Sequence, residues 1–387
     1  MVKQTVPQAR PKAGHPGTIL AGFRARESDF LTLLQELVSR PSRTGEVKEI
    51  NRFADGLVAR FAPLGPSIRR VPTPAGDILD FSFPGQKESG VVLLAHMDTV
   101  PSADHPPTGR REGRRFFGNG CYDMKSGIVL FHFLLQSLSK GGGSPSRRVR
   151  MICTPDEESG SLASRAYLLE SCRRARAVVL PEPSGPRGEV KTRRKGVVWI
   201  EARLSGRAAH SGIEPERGRD ANRALALLVG RIDRKLREIG DLSFNPGVLS
   251  GGRRSNVVSP GSRLEGELRG FSNRDLMRAM NTLPSLSRIG DVRVDWSIRR
   301  THPALEPGKE NRRLFALARR IAARLGQSLG QVDSGGASDG SSLSAAGIPV
   351  IDGLGMRGGG AHSDEEFIEI DDFPFRAALL TGLVQEI

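Results

Sequence analysis

Val91-Val92-Leu93-Leu94-Ala95-His96-Met97-Asp98 runs from an unbroken apolar segment straight into a histidine and an aspartate. Five consecutive residues without a polar side chain fit a strand buried on both faces of a parallel sheet. His96 then falls at the carboxyl end of that strand, where open α/β sheets place their ligands. A glycine-rich loop follows, Gly118-Asn119-Gly120-Cys121-Tyr122-Asp123-Met124-Lys125-Ser126-Gly127, and brings a second aspartate. The mostly apolar helix expected over Gly127–Leu138 begins where this loop ends.

Working outward, the spacing predicts helices over Glu27–Val38 and Lys48–Phe61 and a turn at Gly141–Pro145. A strand over Arg148–Thr154 runs into Pro155-Asp156-Glu157-Glu158, a short helix covers Leu162–Glu170, and a strand over Ala177–Leu180 runs into Pro181-Glu182-Pro183. Strands alternating with helices indicate a parallel, layered α/β sheet. The texture changes near Val190. Val197–Leu204 alternates like a half-buried strand, and Asp220–Leu236 is a long amphipathic helix. Short strands are expected at Val248–Ser250, Asn256–Val258, Leu264–Leu268 and Val292–Ser297, with a helix at Arg274–Leu283. After Thr301 the first texture returns, with a helix over Asn311–Leu325, a strand at Pro349–Asp352 and a closing helix over Asp372–Ile387. The expected architecture is α/β. Residues 25–189 and 300–387 are expected to form a larger domain whose mostly parallel sheet is sandwiched by helices, 190–299 a smaller inserted α+β domain, and residues 1–24 a poorly ordered N-terminal segment.

At 387 residues the chain is long enough for two domains and a large core. No stretch approaches the ~20 apolar residues of a membrane span, and Met1–Gly17 lacks the apolar core of a signal peptide. Three cysteines without CxxC spacing do not make a disulfide framework and fit a reducing compartment, so a cytoplasmic protein is expected. The 58 Lys+Arg against 43 Asp+Glu give a net charge of +15. Such a balance raises nucleic-acid binding as a reading. The basic residues are scattered, however, and with 5% aromatics there is no stacking platform, so a surface attracting anionic substrates is the better account.

Three expected strand ends carry metal-ligand chemistry: His96 with Asp98, Glu157 with Glu158, and Glu182. Asp123 joins them from its loop, and Gly358-Gly359-Gly360-Ala361-His362-Ser363 offers a second histidine. Imidazole with carboxylate suits zinc or a similar divalent ion. Singly, each residue reads as an ordinary surface or turn residue; isolated residues of that kind do not predict that all would fall at strand ends.

As an ordered set, His96-Met97-Asp98, Gly118 through Asp123-Met124-Lys125 to Gly127, Glu157-Glu158, Glu182-Pro183 and His362 resemble the motifs of the two-zinc aminoacylase/carboxypeptidase family, whose members include glutamate carboxypeptidase, acetylornithine deacetylase and succinyl-diaminopimelate desuccinylase. The resemblance implies two Zn2+ per chain, with Co2+ or Mn2+ as substitutes. It implies that His96 and Glu182 bind one ion, Glu158 and His362 the other, and Asp123 both. Asp98 would hold the second nitrogen of His96. Glu157 would be the general base, acting with a bridging hydroxide. That set balances in charge: three carboxylates and a hydroxide match four positive charges. The resemblance also implies a cis peptide after Asp123.

The inserted segment adds Gly206-Arg207-Ala208-Ala209-His210-Ser211-Gly212, which resembles the family loop whose histidine stabilises the oxyanion in the partner subunit's site. Asn256 and Arg269 resemble the residues that bind the substrate carboxylate. A homodimer through 190–299 is thereby implied. The family's Asp-x-Arg is here Glu267-x-Arg269, and Cys121 sits two residues before Asp123, where it is expected to pack away from the site. Ser338-Asp339 resembles a family motif without a catalytic assignment, and His15, His105, His132 and His302 read as structural or surface residues.

The expected function is zinc-dependent hydrolysis of an amide or peptide bond next to a free amino-acid carboxylate, on a small N-acyl amino acid, dipeptide or pteroyl-glutamate. Glu182, where some relatives carry aspartate, favours the glutamate carboxypeptidase or aminoacylase side. The rival enzyme reading is an N-acyl-amino-acid deacylase of the acetylornithine or succinyl-diaminopimelate type. The rivals outside enzymes are a metal-free binding protein and a nucleic-acid-binding protein.

Overall fold

Val91–His96 is a strand, all six of its residues are buried, and it is the fourth strand of a six-stranded sheet. In the computed structural model, which describes residues 16–85, 90–100, 108–140 and 147–387, that sheet runs in the order Ser67–Val71, Ile78–Phe83, Val149–Thr154, Val91–His96, Ala177–Val179, Val350–Ile351. His15, His105, the expected turn at Gly141–Pro145 and most of the expected N-terminal segment lie outside the described residues.

Register decides where the strand ends emerge. Val91–His96 pairs parallel with Val149–Thr154, Val91 opposite Val149 and His96 opposite Thr154, and parallel with Ala177–Val179 on its other side. The segments that follow His96, Thr154 and Val179 therefore leave the sheet at one edge. Val350–Ile351 extends the parallel part; Ile78–Phe83 and Ser67–Val71 are antiparallel additions that the sequence reading did not name.

Helices cover the sheet. Glu27–Val38 buries Phe30, Leu33, Leu34, Leu37 and Val38. Ser126–Lys140 buries every side chain from Ile128 to Leu135, His132 included, so it packs on all sides and shows no clean polar face. Phe30 stacks on Phe373 of the closing helix Phe373–Glu386 at 4.2 Å between ring centroids, and Phe133 meets Phe373 edge-on at 5.1 Å. Each such ring removed from water contributes about 1.5–3 kcal/mol. The segment Pro16–Arg24, expected to be poorly ordered, is a helix, because Phe23 is buried against Phe373.

The chain forms two compact units, Met1–Thr192 with Gly308–Val332 and Ile348–Ile387, and Arg193–Pro307 with Asp333–Gly347. The sequence reading had left Asp333–Gly347 with the larger unit. The second unit is a five-stranded antiparallel sheet in the order Leu242–Gly251, Gly261–Gly270, Gly196–Ser205, Val292–His302, Arg288–Ile289. Val198, Ile200, Ala202 and Leu204 alternate onto one face and pack with Leu228, Ile232 and Leu236 of the helix Ala221–Ile239. Asp220 caps that helix, accepting from the N–H of Asn222 and Arg223. Asn256–Val258, expected as a strand, is a loop with a single bridge from Val257 to His210. No described helix is long and apolar enough to cross a membrane.

Candidate metal centre

The parallel register places His96 beside the segment after Thr154, and the site is assembled around that edge. His96 is buried, and its Nδ1 faces the main-chain oxygen of Asp98 at 2.9 Å, leaving Nε2 for the cluster. The Asp98 carboxylate, expected to hold this nitrogen, lies 3.6 Å from Nδ1, farther than its own main-chain oxygen. Its oxygens accept instead from the N–H of Glu157 and of Glu158, 3.1 Å each, and from the Thr44 hydroxyl at 3.0 Å.

Asp123 lies between the two histidines. Its Oδ1 is 3.2 Å from His96 Nε2, and its Oδ2 is 3.6 Å from His362 Nε2. Glu182 Oε1 is 3.8 Å from His96 Nε2, and Glu158 Oε1 is 3.2 Å from His362 Nε2. One donor atom each from His96, Asp123 and Glu182 fall within 4.8 Å of one another, as do donors from Asp123, Glu158 and His362. His96, Glu157 and Glu158 form a third such set. The Asp123–Met124 peptide is cis, as the resemblance implied. His362 adopts φ 63°, the left-handed region open to histidine but unusual for it, two residues after Gly360 at φ 71°. A side chain at Gly360 would meet the Glu365 oxygen at 2.5 Å, so the turn that presents His362 requires glycine there.

The electrostatics call for positive charge. Hydrogen bonds to Asp123 and Glu158 push the His362 imidazole up to about 10. Burial works to lower the His96 pKa, yet Asp123 and Asp98 carry it well above its ordinary value. Burial works to raise Asp123, yet His362 and His96 hold it well below the carboxylate range. Glu158 is raised by burial against its His362 hydrogen bond. Carboxylates that gather two imidazoles around one shared aspartate are a donor set for divalent cations. His96, Asp123 and Glu182, and Asp123, Glu158 and His362, are two sets of donors of the kind that hold divalent ions.

Residues 92–386 match the model of Peptidase family M20/M25/M40. The chain belongs to that family. The M20 chain is 28% identical to carboxypeptidase G2 of Pseudomonas sp. (strain RS-16) over 92% of its own length and 88% of the relative's. It is 24% identical to succinyl-diaminopimelate desuccinylase of Corynebacterium glutamicum over 96% of its length and 98% of the relative's. The Bacillus subtilis YXEP protein, a dinuclear metal-binding M20 peptidase, shares the fold with a TM-score of 0.68 at 16% identity, over 94% of this chain and 98% of that one. The M20 protein is thus a metallohydrolase with the donor residues of a metal site gathered in one place.

The other residues singled out from the sequence, His210, Asn256 and Arg269, lie in the second unit. His210 is exposed, and its Nδ1 accepts from Gly212 N at 3.2 Å. The loop around Asn256 runs alongside, since Ser211 N donates to the Asn256 oxygen at 3.1 Å. Arg269 is already engaged: Nε and Nη2 reach Glu267 at 2.8 and 3.2 Å, and Nη1 donates to the Gly335 oxygen at 2.8 Å. Both Glu267 oxygens thus close a fork onto this guanidinium.

Sequence reading missed the scaffold behind the donors. Thr44 braces Asp98. The Tyr122 hydroxyl donates to the Ser184 oxygen at 2.8 Å and ties the Asp123 loop to the segment carrying Glu182. Lys125 is fully buried, donates to the Arg40 oxygen at 2.9 Å, and is pulled down by burial to about 8. Glu366, four residues after His362, accepts from the Asp123 loop, and burial pushes its carboxyl up to about 7. Its only sequence signal was that closeness to His362. Cys121 is buried, and its thiol is raised well above its ordinary value by burial, so it does not offer a thiolate at neutral pH.

Proposed function

We propose that this M20 protein cleaves an amide or peptide bond adjacent to a free amino-acid carboxylate, in the manner of a glutamate carboxypeptidase. The observation that carries the reading is the sharing of Asp123 between the His96–Glu182 and Glu158–His362 donor pairs, with Glu157 alongside, in a chain similar to carboxypeptidase G2 along nine-tenths of its length. His96, Glu182 and Asp123 would hold one divalent ion, Glu158, His362 and Asp123 the second, with zinc the first choice and cobalt or manganese as substitutes. Bound there, the ions would activate a water and polarise the scissile carbonyl. Glu157 would take the water's proton and return it to the leaving amine. The Asp98 carboxylate, through two N–H bonds, keeps Glu157 and Glu158 turned to the cluster. His210 would serve the oxyanion, and Asn256 and Arg269 the substrate carboxylate. The segment 190–299 would form a homodimer. Three free, buried cysteines favour a reducing compartment such as the cytoplasm.

A deacylase acting on N-succinyl or N-acetyl amino acids is the second reading, favoured by the similarity to a desuccinylase over nearly its full length. Metal analysis and a substrate panel separate the two. The panel holds benzoyl- and folyl-glutamate, N-acetyl-ornithine, N-succinyl-diaminopimelate and several dipeptides. Two ions per chain, with turnover of the glutamate conjugates falling about 10²–10⁴-fold in Glu157→Ala, are expected. Faster turnover of an acyl-diamine would select the second reading; no metal uptake after reconstitution would overturn both.

A further inference from the structure

The backbone between Gly118 and Asp123 is irregular: Gly120 has φ 71°, and Asp123 departs from helical geometry. Such a segment leaves interior N–H groups needing partners. Three of them converge on one side chain. Gly120 N donates to Glu366 Oε2 at 2.6 Å, and Tyr122 N and Asp123 N both donate to Oε1 at 2.8 Å. The main-chain oxygen of Glu366 accepts in addition from Gly118 N at 3.1 Å and from the Cys121 thiol at 3.6 Å.

Glu366 is 2% exposed and makes no ion pair with a lysine, arginine or histidine among the described residues. A buried carboxylate of that kind is costly unless hydrogen bonds replace its water. Here they do, and all of them come from the loop that carries Asp123. Glu366 also follows His362 by four residues, so the segment that presents one histidine grips the aspartate 3.6 Å from it. Only a carboxylate matches these donors. A glutamine would turn an NH2 group toward an N–H, and an aspartate would fall short of the loop.

We propose that Glu366 is a positioning residue that sets the Asp123 carboxylate between the two donor pairs and so locks Asp123 and His362 to each other. This inference rests on the two-ion reading above. It predicts an effect on metal affinity and on kcat, with KM nearly unchanged, because Glu366 acts through Asp123 and not on the substrate.

The test compares wild type with Glu366→Gln and Glu366→Asp, each stripped of metal by chelation and titrated with Co2+, using visible absorption and calorimetry. Both variants are expected to keep the wild-type far-UV circular dichroism while losing about 10–100-fold in Co2+ affinity. Their Co2+ absorption band should shift, and kcat should fall with KM within a few-fold of wild type. Variants that melt earlier yet bind Co2+ with wild-type affinity and spectrum would make Glu366 a structural cap and overturn the proposal. Should neither variant fold, amide exchange in metal-free wild type decides: slow exchange at Gly120, Tyr122 and Asp123 is expected, and fast exchange overturns it. A wild type that takes up no Co2+ would instead remove the two-ion reading beneath.

Discussion

The carboxylate of Asp98 accepts the main-chain N–H of Glu157 at 3.1 Å, and its other oxygen accepts that of Glu158 at the same distance. One fully buried side chain thus fixes the turn that presents two adjacent acids, while its main-chain oxygen orients His96. Asp98→Asn would set an NH2 group against one of those N–H donors. We expect the variant to fold, to lose about 10–100-fold in metal affinity or activity, and to show it in kcat/KM and calorimetric titration. Thr44→Val, which removes the hydroxyl shared between the same carboxylate and the Thr99 main-chain oxygen, should cost about 0.5–1.5 kcal/mol of stability and much less activity. Wild-type kcat/KM in Asp98→Asn would mean that the turn holds its shape without this acceptor.

Removing divalent ions should lower thermal stability. The carboxylates of Asp123, Glu158 and Glu182 crowd one small volume, and cations bound only by the folded chain stabilise it by mass action. At free zinc near a thousand times the dissociation constant the gain is about 4 kcal/mol. Calorimetric scans before and after chelation, and again after zinc is restored, should show a midpoint that drops and recovers. A midpoint indifferent to zinc would show that the cluster holds no ion in the folded state.

The sequence made the parallel part of the sheet legible because apolar runs such as Val91–Ala95 and Ala177–Leu180 end in chemistry-bearing residues. It made the long helices legible by their periodicity: Glu27–Val38 matches its expected limits, and Val47–Phe61 differs by one residue. The antiparallel strands Ser67–Val71 and Ile78–Phe83 escaped. The first is nearly all exposed, and the second, Ile-Leu-Asp-Phe-Ser-Phe, is short and carries the buried Asp80, so neither shows a clean period. The clustering of His96, Asp123, Glu158, Glu182 and His362 was foreseen from strand-end placement and motif order. The bracing by Thr44, Tyr122, Lys125 and Glu366 was not, because each acts on main-chain atoms, and such bonds leave no spacing in the sequence.

Asp80 illustrates a buried acid that a residue pattern does not explain. Its carboxylate pairs with Arg150 on the neighbouring strand and accepts the Tyr167 hydroxyl at 2.6 Å, joining the sheet to the helix Arg165–Cys172. Asp80→Ala would leave a largely buried guanidinium unpaired and should destabilise by about 3–5 kcal/mol. Tyr167→Phe should cost about 1 kcal/mol. Urea midpoints of the two single variants and the double variant would measure the coupling. Additive losses would show that the three groups do not act as one network.

His132 should make stability fall with acid. It lies in the helix Ser126–Lys140, edge-on to Phe61 at 5.3 Å, with Nδ1 lacking a hydrogen-bond partner. Burial, with help from Arg60 and Arg26, lowers its pKa from 6.5 to about 4. The unfolded chain therefore takes up a proton at this residue below pH 6.5, while the folded chain does not until about pH 4. Stability contributed by the neutral ring is present above 6.5 and is lost as pH drops through that window. The loss between pH 7 and pH 5 is roughly 2 kcal/mol from this residue alone. His132→Leu, which cannot take up the proton in either state, should flatten the urea-midpoint profile over that interval relative to wild type. If both proteins lose stability equally between pH 7 and pH 5, the acid sensitivity arises from other groups and His132 titrates normally in the fold.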